Sequence, residues 1–381
     1  MAEDWEAGGF GLYLHWPFCA AKCPYCDFNS HVTASVDHDA WRAAFVSEIE
    51  RAGERTPGRV LHSVFFGGGT PSLMEPATVD AIMNTVHRTW PTANDLEVTL
   101  EANPTSVEAG KFADFRAAGI NRVSMGIQAL NDADLRKLGR MHTTAEGLAA
   151  FDIARHTFDR VSFDLMYGRQ NQSLSAWETE LTDALKLDLD HVSLYQLTIE
   201  PGTVFGDRYK IGKLAGLPDD DLSADMYALT QDICADHNMP RYEVSNHAKY
   251  GSESRHNKVY WRYGDYVGIG PGAHGRLTMD GRRIATEQAR MPTAWLDGTN
   301  REQFETLSGR DQAVEFLMMG LRLTEGVDTN RFEMLSGYPL SATPVMELTD
   351  MGLITVKDSN LSVTDQGFTL LNAVLRKLLE D

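Results

Sequence analysis

The chain has 381 residues, 43% of them hydrophobic, and a formal net charge of −19 from 35 Lys and Arg against 54 Asp and Glu. That length can bury a substantial core, and the acidity argues against a general nucleic-acid binder, because phosphate neutralisation needs clustered Lys and Arg. No stretch of ~18 apolar residues is present to span a bilayer, and the start MAEDWEAGGF lacks the basic and apolar regions of a secretory signal, so a cytoplasmic protein without an integral membrane segment is expected.

In chain order, short β-rich apolar runs alternate with amphipathic stretches. Strands are expected at 12–14, 63–66, 97–100, 122–125, 162–165, 192–195 and 241–244, and helices at 39–52, 76–89, 106–118, 144–157, 174–187 and 220–237. Strand alternating with helix predicts βα units on a parallel sheet, and six or more units in one run favour an α/β fold of the partial (βα)6 TIM-like barrel type. Residues 1–245 are expected to form this barrel and 246–312 a connecting segment. From 313 to 381 the pattern changes to helices at 328–335 and 342–351, strands at 353–357 and 360–363, and a last helix at 364–379. That order reads as a small winged-helix-like domain, and its weakly basic closing units favour packing or docking over DNA binding.

Polar residues sit just past the ends of the barrel strands: Cys19, Thr70, Glu101, Gln128, Asp164 and Gln196. In a parallel barrel these positions open onto one face, where such folds carry their sites, although βα loops are polar in any case.

Three of the four cysteines fall in Cys19-Ala-Ala-Lys-Cys23-Pro-Tyr-Cys26. Thiolates this close in one loop suit a metal or an iron–sulfur cluster, and an odd cysteine in a long chain argues against a disulfide framework. A 4Fe–4S cube held by three thiolates leaves one iron open for an exchangeable ligand. The alternative is structural zinc, with His15 completing a Cys₃His set. Cys234 falls on the apolar face of the helix expected at 220–237 and reads as a buried, inert thiol. The second strand ends in Gly67-Gly68-Gly69-Thr70, whose missing side chains would let a ligand lie directly against the backbone. This run matches neither the dinucleotide fingerprint nor the P-loop, and taken alone it is no more than a tight turn.

Together these motifs resemble the radical S-adenosylmethionine (SAM) family, in which C-x₃-C-x₂-C carries the cluster and SAM occupies the open iron. The phrases LYLHWPFC, FFGGGTPS, EANP, RVSMGIQAL, FDLMYG, QLTIEPGT and GIGPGAHG extend the likeness over nearly the whole chain. They are similar to the branch that holds oxygen-independent coproporphyrinogen III oxidase and a haem-chaperone sister group. The resemblance implies a 4Fe–4S cluster on Cys19, Cys23 and Cys26, and SAM bound by Tyr13, Tyr25, Gly68, Gly69, Thr70, Glu101, Gln128, Arg140 and Asp164. Arg140 is suited to the SAM carboxylate, Glu101 and Asp164 to its amine and ribose hydroxyls. Two departures favour the chaperone group over the decarboxylating oxidase. The oxidase's fourth cysteine position is Phe28 here, and eighteen residues before Cys19 are too few for a cover over the active site. His256-Asn257-Lys258-Val259-Tyr260-Trp261 matches the HNxxYW pattern of that group and implies haem as a further ligand, with His256 as a candidate axial imidazole. The same segment would equally serve to order a loop against the barrel mouth. His142 and His274, beside the motif loops, are further candidates to line the pocket. The partners implied are a haem-acceptor protein such as a respiratory cytochrome, with dimer formation left open.

Overall fold

The computed structural model describes residues 4–33, 35–298 and 301–380. Six strands carry the barrel: β1 (Phe10–Trp16), β2 (Leu61–Gly68), β3 (Thr92–Ala102), β4 (Arg122–Gln128), β5 (Arg160–Tyr167) and β6 (His191–Gln196). The helices after them are α1 (His38–Arg55), α2 (Pro76–Thr89), α3 (Phe112–Ala117), α4 (Thr144–Thr157), α5 (Leu174–Leu185) and α6 (Asp220–Asp236). Helix starts are locally encoded. Asp37, Thr143, Ser173 and Asp219 each accept the N–H three residues on, and Pro76 opens α2. The helix expected over 106–118 is split into one turn, Ser106–Ala109, and α3, with Gly110 between them, a residue that weakens a helix interior.

The strand expected at 241–244 forms, but in a different role. β7 (Arg241–Glu243) turns back through two residues into β8 (Asn246–Ala248), and a link that short permits only antiparallel pairing. The next parallel strand is β9 (Asp265–Ile269), which follows the short helix α7 (Arg255–Trp261) and lies beside β1. An antiparallel run, β10 (His274–Met279), β11 (Arg282–Gln288) and β12 (Glu302–Thr306), extends from it. The resulting 12-stranded sheet has the order β12-β11-β10-β9-β1-β2-β3-β4-β5-β6-β8-β7. The 246–312 stretch, read from sequence as a connector, thus contributes to both flanks of the barrel sheet.

Strand alternation sorts the side chains. Leu12, Leu14, Val64, Phe66, Leu100 and Val123 are buried towards the helices. The alternate positions turn inward and are polar, among them Ser63, Glu97, Arg122, Ser162, Asp164 and His191. A separate core holds the C-terminal unit, where Phe316, Leu317, Phe332, Leu361 and Val374 pack together with Tyr263 from the barrel side. Its elements are α8 (Gly309–Gly320), α9 (Thr329–Ser336), α10 (Ala342–Asp350), the hairpin β13 (Ile354–Lys357) and β14 (Asn360–Val363), and α11 (Leu371–Leu379). The last helix expected from sequence is interrupted at Leu370, whose backbone leaves the helical region. Arg331 anchors this unit to the barrel, donating to Asp4 at 2.7 Å and to the carbonyls of Arg262 and Tyr263 at 2.6 and 2.9 Å. No helix among the described residues is long and apolar enough to cross a membrane.

Candidate functional site

The cysteine loop leaves the C-terminal end of β1 and is fastened to its neighbours by side chains. His15 sits beneath it. Its Nε2–H donates to the Asn29 carbonyl at 2.9 Å, which leaves Nδ1 to accept the Tyr13 hydroxyl at 3.0 Å. Burial holds this imidazole's pKa below its usual value, so it is neutral. With both ring nitrogens committed, His15 is not available as a fourth metal ligand, which removes the Cys₃His zinc alternative. Asn29 then donates to the carbonyls of Pro271 and Arg290 at 2.9 and 2.8 Å, tying the loop to the glycine-rich turn before β10.

Cys19, Cys23 and Cys26 are free and half-buried, whereas Cys234 is fully buried in the core. Burial raises the thiol pKa of Cys19, against which a hydrogen bond to Thr70 works; it raises that of Cys26 too, against the N–H side of the Phe28–Ser30 turn. Among the described residues no three Cys, His, Asp or Glu side chains are gathered closely enough for a single ion. A cube bonds each thiolate to a different corner iron, and three free thiols on one loop are the donor set for that group.

The three glycines are explained by the chain itself. A Cβ on Gly67 would come within 2.8 Å of the Tyr13 ring, on Gly68 within 2.6 Å of the His15 ring, and on Gly69 within 2.7 Å of the Phe18 carbonyl. Gly68 also has φ +111°, a conformation that costs other residues strain. Their bareness therefore brings β2 against β1 and the cysteine loop, rather than only opening the backbone to a ligand. Gly69 N–H donates to Trp16 O at 2.7 Å and Thr70 N–H to Phe18 O at 2.9 Å.

Around this corner the structure gathers most of the residues implied for SAM. Gly68 N–H donates to Glu101 Oε2 at 3.2 Å, and Ser124 Oγ donates to Asp164 at 3.3 Å. Burial first, then repulsion by Asp164, pushes the Glu101 carboxyl up to about 8. Burial raises Asp164 to about 6 despite help from Ser193, Arg122 and Ser124. Arg140 reaches Cys23 Sγ at 3.5 Å with one nitrogen, and Asn103 Oδ1 and the Gly126 carbonyl at 2.6 and 2.8 Å with another. It braces the cysteine loop against β4, and Tyr25 lies beside it and against Phe205. Buried Gln128 Oε1 and Arg140 Nε have no hydrogen-bond partner among the described residues. A buried acceptor without a partner and a pair of buried, mutually repelling carboxyls are each unfavourable alone and suit a polar, cationic ligand.

Other candidates are placed elsewhere. Gln196 is exposed at the end of β6. His142 is buried, its Nε2–H directed to the Ile127 carbonyl at 3.2 Å, and does not line the pocket. His256 is at the opposite end of the barrel from the cysteines. Its ring stacks on Phe65 at 4.6 Å and its Nδ1 meets Ser63 Oγ at 3.3 Å, while the His256 backbone N–H donates to Glu97 Oε1 at 3.2 Å. Burial drives its pKa down to about 4. Asn257 donates to the Tyr242 hydroxyl at 3.4 Å, while Trp261 packs under Arg322 at 4.8 Å. The HNxxYW segment is therefore a helix that closes the barrel floor, neither a loop at the mouth nor an open wall for a macrocycle. Sequence reasoning passed over Asn29, Asn103 and the floor network; Asn103 was visible in EANP, the floor as regularly spaced polar residues within the strands.

A half-barrel of βα units with a three-cysteine loop after its first strand, and acidic and amide groups beside that loop, defines a radical SAM protein. The radical SAM superfamily profile matches residues 13–183, and the HemN C-terminal domain profile matches residues 307–370. The chain belongs to the HemW family within that superfamily: it is 39% identical over 303 residues to "Heme chaperone HemW" of Escherichia coli (strain K12), covering 79% of each chain. It is 42% identical over 290 residues to "Radical S-adenosyl methionine domain-containing protein 1, mitochondrial" of Bos taurus, covering 75% of this chain and 65% of that one. Its fold is shared with the solved coproporphyrinogen III oxidase HemN of Escherichia coli, at a TM-score of 0.80 and 21% identity over 99% of this chain and 93% of that one.

Proposed function

We propose that this protein is a haem chaperone that holds a 4Fe–4S cluster and SAM at the barrel mouth, binds haem and passes it to an acceptor protein. The reading is carried by 39% identity to a haem chaperone across 79% of both chains, on a site whose donor set fits the cluster. Cys19, Cys23 and Cys26 would hold the cluster, with Arg140 bracing Cys23. Glu101 and Asp164 would face the cationic end of SAM, and Gln128 would receive a donor at its orphaned oxygen. When bound, cluster and SAM supply one-electron chemistry or a cap on the open iron. The chain's own contribution is to shield and orient them.

Phe28, 59% exposed, stands where the oxidase carries its fourth cysteine and offers no ligand. Anaerobic reconstitution should give four irons and four sulfides per chain by the chemistry of the cube, and titration with haemin a saturable Soret change. Turnover of coproporphyrinogen III with reductant and SAM, or no haemin uptake at micromolar concentration, would overturn the chaperone reading.

A further inference from the structure

With His256 in the barrel floor, the haem ligand has to be sought elsewhere, and the rim beside the cysteine loop supplies the chemistry. His274 opens β10 and is exposed. Its ring carries no hydrogen bond among the described residues. Gly268 lies directly against the His274 carbonyl, so the strand start that carries His274 is packed tightly onto β9.

Asn29 assembles the rest of the rim. By bonding to both Pro271 O and Arg290 O, it draws three segments together: the cysteine loop with Phe28, the turn leading to His274, and the 290–291 pair. Phe28 and Met291 are 59% and 58% exposed, so two large apolar side chains flank that knot in solvent. Arg290 and Lys22 are exposed cations on the same segments, the Lys22 ammonium lying 3.5 Å from Ser30 O. An imidazole, an apolar rim and two cations are what a metalloporphyrin with two carboxylate arms would use. His31 is also close, but its Nε2 is engaged by Asn29 Oδ1 at 3.2 Å.

We propose that haem docks on this rim with His274 as its axial ligand, Phe28 and Met291 against the macrocycle, and Lys22 and Arg290 towards the propionates. The assignment rests on the chaperone reading above and locates its site. The test is haemin titration of the reconstituted protein, comparing wild type with His274→Ala, His31→Ala and His256→Ala. His274→Ala is exposed and should keep its far-UV spectrum and cluster stoichiometry. It should bind haemin at least about 10–100-fold more weakly, as other losses from a metal's coordination environment do, and it should lose the low-spin Soret signature. Added imidazole should restore that signature, which a structural effect would not allow. Retention of the wild-type spectrum in His274→Ala, or its loss in His31→Ala or His256→Ala alone, overturns this assignment and leaves the chaperone reading standing. If wild type takes up no haemin, both fall together.

Discussion

The sharpest consequence of the carboxyl pair is a pH-dependent affinity for SAM. With Glu101 near 8 and Asp164 near 6, the ligand-free pair at neutral pH holds one proton and one negative charge. A sulfonium or ammonium placed beside Glu101 removes the cause of its raised pKa and expels that proton. If the bound carboxyl is ionised throughout, affinity should increase about fiftyfold from pH 6 to pH 8, because the proton to be displaced is held nearly completely at the lower pH and half at the upper. Glu101→Gln has no proton to lose, so its affinity should not vary with this titration, and the wild-type to variant ratio should rise by about that factor from pH 6 to pH 8. Equilibrium binding to both reconstituted proteins at three pH values checks this, and the wild-type to variant ratio cancels the ligand's own ionisation. A ratio that stays constant across pH would refute the reasoning. The stability sign is the converse. A carboxyl raised from 4.5 to about 8 destabilises the ligand-free protein as pH climbs through that window, and SAM should restore the loss.

Gly68→Ala forces a methyl onto the His15 ring at 2.6 Å with φ +111°, and should cost on the order of 2–4 kcal/mol in urea unfolding; a loss below about 1 kcal/mol would contradict the close approach. Asp265, fully buried at the start of β9, pairs with both Arg59 and Arg283 and accepts from Thr278 Oγ1 at 3.0 Å. Asp265→Asn should cost about 3–5 kcal/mol by leaving two buried guanidiniums without an anion, measured by the same unfolding. Alanine at Cys19, Cys23 or Cys26 should abolish iron and sulfide retention after reconstitution. Cys234→Ala should leave both counts unchanged, since that thiol lies in apolar core on α6.

Much of the frame was legible because its signals are local. The helices over 76–89 and 144–157 begin and end where expected, since Pro76 and the Thr143–Glu146 capping box mark their starts within one turn of sequence. The cysteine triplet was legible for the same reason. What could not be read depends on partners far along the chain. The glycine run was visible at 67–69, but its cause is His15 and Phe18, some fifty residues earlier. His256 stood out as a motif residue, yet its location is fixed by Ser63 and Glu97, and no local pattern shows that a histidine will be drawn under the barrel. The direction of β7 likewise depended on the two-residue link that follows it.

The same long-range contacts explain how a barrel can be both closed and open. A lumen filled with branched apolar side chains would be stable but would leave no space for a cofactor. Here Arg122 occupies the lower lumen, donates to Thr99 Oγ1 at 3.3 Å and to Ser162, and faces the Glu97 carboxylate at 3.9 Å. Ser162 passes the network to His191 at 2.9 Å, and His191 to Tyr242 at 2.9 Å. The floor is thus held by hydrogen bonds among polar side chains, with α7 beneath it. Burial keeps His191 neutral, so the floor gains no second cation beside Arg122. Above it Tyr13, Glu101 and Asp164 are buried close enough for their charges to interact, and this is why residues that would be liabilities in a packed barrel form a site in this one.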